Sequence, residues 1–193
     1  TETIIKHVGD IGHMVNEFSS FARMPEPVLK KGKIYPLIKD VMILQQQAHH
    51  DLKLDAKIED EKLEGIFDAQ QLRQALTNLI QNAVDSIDLN NKEHGLSGAG
   101  HIEILAGVND DQIFISLSDN GLGFPENEST ANLTEPYVTF KQKGTGLGLA
   151  IVKKIMEDHN GKLILGAPEW LEEDKGYNDL GGATVVLLLN SAI

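Results

Sequence analysis

The 193-residue chain contains no cysteine. Disulfides and thiolate metal centres are therefore excluded, and a cytosolic setting is compatible with the composition. Basic residues are also scarce: 17 Lys and Arg stand against 29 Asp and Glu, a formal charge of −12. That balance excludes a general nucleic-acid binder, which needs a basic face to displace counterions. An anionic ligand must then be held by local donors and a metal ion. No apolar run approaches the roughly 18–20 residues of a membrane span, and the N-terminus lacks the apolar core of a signal peptide. A soluble piece without membrane contact is expected, and its polar start without Met suggests it was cut from a longer chain. Two familiar nucleotide motifs are missing as well. Gly144-x-Gly146-x-Gly148 is not G-x-G-x-x-G, and no G-x-x-x-x-G-K-S/T occurs. There is no internal repeat.

What the chain does have is a pair of glycine-rich turns, Asp119-Asn120-Gly121-Leu122-Gly123-Phe124 and Gly144-Thr145-Gly146-Leu147-Gly148-Leu149. Glycine permits positive φ and close backbone approach to a ligand. A glycine turn that runs into a helix aims free N–H groups at an anion, most often phosphate. Together the turns suggest a nucleotide gripped at two ends.

The 41% apolar content suits one good core with a short appendage. Residues 3–23 read as a helix whose Ile4, Val8, Ile11, Val15, Phe18 and Ala22 repeat in the four-three spacing of a bundle seam. Gly9 and Gly12 weaken it, Pro25 and Pro27 end it, and 25–33 reads as a linker. A second unit begins near residue 28. Its expected helices are 37–48, 69–87 with Asp68 as N-cap, and 147–159. Its expected strands are 52–58, 102–108, 113–117, 162–165 and 183–189, with a turn at Asn109-Asp110-Asp111. Loops are expected over 88–100, 124–143 and 166–182. This mixture of helices and antiparallel pairs predicts a two-layer α/β (α+β) sandwich, with a mixed sheet and helices on one face.

On the 69–87 helix, Leu72, Leu76, Leu79, Ile80, Ala83 and Ile87 form an apolar arc, and Gln74, Asn78, Asn82 and Asp85 lie on another face. Such a stripe is either plain solvated surface or a set of amide oxygens and N–H donors for a cation and phosphates.

Asn78-Leu79-Ile80-Gln81-Asn82-Ala83 resembles the N box of the GHKL ATPase/kinase superfamily. Asp119 to Gly123 resembles its G1 box, Gly144 to Leu149 its G2 box, and Gly181-Gly182-Ala183-Thr184 its last glycine motif. The similarity runs over about residues 28–190. Within the superfamily the chain resembles sensor histidine kinases of two-component systems. Glu135-Pro136-Tyr137-Val138-Thr139 and the run from Gly144 to Met156 look closest to the nitrogen-regulation, NtrB/NtrY-like branch, and residues 15–25 resemble NtrY-like kinases most.

The resemblance implies a Bergerat-type ATP-binding domain over 28–193. It implies that 1–27 is the second helix of a truncated dimerisation hairpin with the start of a linker. Asp119 would accept from the adenine amino group, with Gly121, Gly123 and Phe124 against the base. Asn82 would bind Mg²⁺, Asn78 would assist metal or phosphate, and Asp85 shares their face. Gly144, Thr145, Gly146, Leu147 and Gly148 would form the phosphate turn. Thr184 would line the adenine pocket, or simply suits a strand. Residues 124–143 would be an ATP lid holding Tyr137 and Thr139. Lys141 and Lys143 would there meet the phosphates or stay solvated. Phe140 stands where related sequences often carry Thr or Ser.

ATP-hydrolysing members of the superfamily carry a Glu where this chain has Asn78, and an amide cannot serve as general base near neutral pH. The resemblance thus implies slow hydrolysis and transfer of the γ-phosphoryl group to a histidine of a partner dimerisation helix. A response regulator would lie downstream, and the full-length protein would be a membrane-anchored homodimer. None of the seven histidines fits the His-Glu/Asp-x-x-x-Pro acceptor pattern, His7 and His13 included, so this chain is expected not to label itself. The alternatives are a GHKL ATPase doing mechanical work, or a non-enzymatic dimerisation module.

Overall fold

Strand-forming runs that alternate with apolar-striped helices lay down one mixed sheet. The structure, a computed structural model, describes Gly12, Ser19 and residues 23–95, 99–125, 129–139, 144–174 and 176–191. The expected helix over 3–23, with His7 and His13, lies almost wholly outside the described residues. So do Phe140, Lys141 and Lys143.

The strands are β1 (Lys30–Lys33), β2 (Lys53–Ile58), β3 (Glu64–Phe67), β4 (His101–Asn109), β5 (Gln112–Asp119), β6 (Lys162–Leu165) and β7 (Thr184–Asn190). The helices are α1 (Ile34–Ala48), α2 (Ala69–His94), α3 (Thr130–Leu133), α4 (Gly148–Asp158) and α5 (Glu169–Asp174). Five strands form a sheet in the order β2-β4-β5-β7-β6, with β2 parallel to β4 and the other pairs antiparallel. β1 and β3 make a separate antiparallel ladder, joined to the end of β7 by a Gly65–Ser191 bridge.

Period-two alternation decides which face each residue joins. Ile102, Ile104 and Ala106 of β4, Ile113, Ile115 and Leu117 of β5, and Val185, Leu187 and Leu189 of β7 meet the apolar stripes of α1, α2 and α4 in the main core. The expected mixed sheet with its helical layer is thus observed. The reverse face carries Leu105, Phe114, Val186 and Leu188, and α5 covers them with Leu171 and Trp170. The Trp170 ring meets Phe114 edge-on, with centroids 5.3 Å apart.

Five elements depart from the sequence expectation. The 166–182 loop contains α5, whose start is set by Pro168: its carbonyl accepts from the Leu171 N–H at 2.9 Å. Residues 88–94, read as loop because Asn is a poor helix former, continue α2 until Gly95 terminates it at φ 62°. The polar 124–143 stretch holds α3, which the Ser129 hydroxyl caps. The stretch read as linker contributes β1, which pairs with the unexpected β3.

Candidate nucleotide-binding site

Helix α2 is the spine of the site. Asp68 caps its first turn, accepting from Gln70 and Gln71 N–H groups at 2.9 and 3.1 Å. The same carboxylate accepts from the Val28 N–H at 2.8 Å, and Gln71 Nε2 donates to the Pro25 carbonyl at 2.8 Å. Burial alone would raise the Asp68 carboxyl, but the N–H groups of Val28, Gln71 and Gln70 outweigh it and hold it below the usual range. Buried His159, beyond the end of α4, accepts the Asp68 N–H on Nε2 at 2.9 Å. Its Nδ1 lies 2.7 Å from the Ile155 carbonyl, so Nδ1 carries the proton. The end of α4, the start of α2 and the linker are thereby tied at one point.

Both glycine turns come to rest on α2, one helical turn apart. Gly148, the first residue of α4, sits against Asn82: a Cβ there would lie 3.2 Å from Nδ2. Gly121 sits against Ser86, where a Cβ would approach the Ser86 Cβ to 2.8 Å. Asn78 lies one turn before Asn82, and its Nδ2 is buried with no hydrogen-bond partner among the described residues. Asp85 accepts from Gln81 Nε2 at 2.9 Å.

Asp119 ends β5 and is only 4% exposed. Its Oδ1 accepts from the Gly121 N–H at 2.8 Å and the Ala183 N–H at 3.3 Å, while its main chain pairs with Gly182 and Ala183. Gly182 admits no Cβ, which would run into the Asp119 carbonyl and carboxylate. Gly123, at φ 77°, passes beside the Gly182 carbonyl, and Phe124 packs on the main core.

The second turn is held differently. The Tyr137 N–H donates to the Gly146 carbonyl at 3.1 Å. Gly146 has φ 70° and lies so close that a Cβ would meet the Tyr137 carbonyl carbon at 2.6 Å, so only glycine fits. Tyr137 has a positive φ of 68° and is 59% exposed. Leu147 is fully buried in the core, and its N–H reaches Thr145 Oγ1 at 3.4 Å. Gly144 and Thr145 are half-buried beside it, and Thr139 is exposed. Unlike α2, α4 begins after Leu147, whose side chain makes no cap hydrogen bond.

Thr184 lies elsewhere. It shares the reverse face of β7 with Val186 and Leu188, and its hydroxyl bonds to Ser118 Oγ at 2.9 Å and Tyr177 OH at 3.0 Å. The expectation that it lines the pocket beside Asp119 is corrected by strand alternation, which turns it to the other side of the sheet. Sequence reasoning in turn passed over Ser86 and Asn90. Their four-residue spacing from Asn78 and Asn82 was a signal, but the loop assignment for 88–100 hid Asn90.

Residues 67–193 match the family described as histidine kinase-, DNA gyrase B-, and HSP90-like ATPase. The chain belongs to that family. It is 44% identical over 170 residues to nitrogen regulation protein NtrY of Azorhizobium caulinodans, covering 88% of this chain and 22% of that protein. It is 38% identical over 166 residues to a putative NtrY-like sensor histidine kinase of Rickettsia conorii, covering 86% of this chain and 26% of that one. The chain thus spans about a quarter of the length of these relatives. Among solved structures, the catalytic domain of histidine kinase ThkA overlays with a TM-score of 0.66 at 25% identity, covering 84% of this chain and 95% of that one. Residues 67–193, which carry both glycine turns and α2, are therefore a domain of the GHKL type.

Proposed function

We propose that the chain is the ATP-holding part of a sensor histidine kinase, donating the γ-phosphoryl group to a histidine on a dimerisation helix in two-component signalling. The observation that carries this reading is the meeting of both glycine turns on α2, at Asn82 and Ser86, with Asn78 one turn before. Asp119 takes the adenine amino group as an acceptor-only carboxylate. The start of α4 and the Gly144–Gly148 turn take the phosphates, with Lys141 and Lys143 contributing from the lid.

The residues present suit Mg²⁺. Asn82 and Asn78 supply hard amide oxygens, and the buried Nδ2 of Asn78, without a partner among the described residues, is a donor suited to a phosphate oxygen. Mg²⁺ bound there would neutralise charge on the phosphates. The protein's part is positioning: α2 and α4 hold the chain of phosphates in line, and Asn78 offers no base to activate water. The acceptor histidine lies on a dimerisation helix, and a response regulator receives the phosphoryl group afterwards. A full-length homodimer anchored in the membrane fits the NtrY likeness.

Titration calorimetry with Mg-ATP tests the binding step. Asp119→Asn should weaken affinity by about a hundredfold, the loss of a hydrogen bond to a buried charged acceptor. The kinase step is tested by adding a dimerisation hairpin carrying the acceptor histidine and following γ-phosphate label. Acid-labile label on that histidine supports the reading. Fast phosphate release without label would favour a hydrolase and overturn it.

A further inference from the structure

We propose that Ser86 and Asn90 are positioning residues that hold the Asp119 turn against α2 and thereby set selectivity for the base. The inference rests on the assignment of Asp119 to adenine given above.

Three contacts fix the turn to the helix. Ser86 Oγ accepts from the Leu122 N–H at 3.0 Å. Asn90 Nδ2 donates to the Asn120 carbonyl at 3.1 Å. Gly121, between them, lies flush on Ser86. On the sheet side the Asn120 N–H donates to the His101 carbonyl at 3.2 Å, and Asn120 Oδ1 accepts the His101 N–H at 2.8 Å. The turn is therefore clamped between β4 and α2, and each side satisfies a different set of its backbone groups. Because the Gly121 N–H is a main partner of Asp119 Oδ1, any swing of the 120–122 peptides reorients the carboxylate.

The chemistry of base choice depends on that orientation. An acceptor-only carboxylate welcomes the adenine amino donor and repels the carbonyl that guanine carries at the equivalent position. A loosely held carboxylate does both less well. Asn78, Asn82, Ser86 and Asn90 follow one another at four-residue steps, the ridge spacing of an α-helix, about 6 Å apart along its axis. One rigid element thus positions the base turn and the phosphate turn together.

The test compares Mg-ATP and Mg-GTP binding by calorimetry for the native chain, Ser86→Ala, Asn90→Ala and Asp119→Asn. Alanine is the stronger helix former, so neither α2 substitution weakens the helix itself. Melting by circular dichroism verifies this, and Asn90→Asp, of similar shape but lacking the amide donor, repeats the measurement if Asn90→Ala melts early. Each α2 variant should lose about three- to tenfold in ATP affinity with little change for GTP, so the ATP-to-GTP ratio contracts. A merely structural role would lower both affinities together. An unchanged ratio in both α2 variants, with ATP preference present in the native chain and lost in Asp119→Asn, overturns this inference alone. A native chain without ATP preference, or an unchanged ratio in Asp119→Asn, overturns the adenine assignment and this inference with it.

Discussion

At the scale of single residues, the site depends on places where no side chain fits. Gly182→Ala would drive a methyl group into the oxygens of Asp119. It should destabilise by about 1–3 kcal/mol, the cost of overpacking a closed site, and weaken ATP binding further than the stability loss explains. Urea denaturation and calorimetry on the same variant separate the two effects. Asp119 and Asn82 stand out in the sequence because each sits in a motif, and the structure brings the turn after Asp119 and the Gly148 turn onto the helix that carries Asn82. Ser86 does not stand out in the sequence, since a serine on a helix has no recognisable role until the chain returns 36 residues later with the Leu122 N–H. Thr184 was legible as a strand residue, but its face was not. Strand alternation needs a register, and the register came from its pairing opposite Ser118.

At the scale of elements, the Asp68 cap does more than start a helix, because it also binds the linker at Val28 and abuts His159. Asp68→Ala should cost about 1–2 kcal/mol, the upper range for a lost N-cap, and should increase amide exchange at Val28. The folded carboxyl titrates below its unfolded value, so its contribution is full above the ordinary carboxylate range and is lost as pH falls through the folded pKa. Asp68→Asn should therefore show a shallower decline in stability below about pH 4 than the native chain, read from urea midpoints across pH. Helix α5 carries a separate expectation. Leu171 is fully buried under the reverse face, so Leu171→Ala should cost about 2–5 kcal/mol by denaturation while leaving ATP affinity in the folded protein nearly unchanged. Its segment lies within 166–182, which reads as a loop in the sequence. What makes it helical is the apolar patch of Leu105, Phe114, Val186 and Leu188 that it covers.

At the scale of the whole molecule, one helix, α2, connects residues 25–28 with the proposed nucleotide site. The linker reaches the first turn of α2 through Asp68 and Gln71, and the same helix carries Asn78, Asn82 and Ser86 further along. Purified protein with ATP and Mg²⁺ should release phosphate at well below one turnover per minute, since no general base stands at position 78. A phosphate-release assay checks this, and a glutamate at that position, Asn78→Glu, should raise the rate. The alternation of strands, the amphipathic stripes of α1, α2 and α4, the Asp68 cap and the glycine motifs were determined by the sequence itself. Each of these is a local pattern of apolar spacing or backbone freedom. The tertiary structure alone decided that β1 pairs with β3, that α2 continues through its Asn-rich end, and that Thr184 faces away from Asp119. It also decided that both glycine turns settle one helical turn apart on α2. These outcomes rest on contacts between residues distant in the chain, where burial and hydrogen bonding outweigh local propensity.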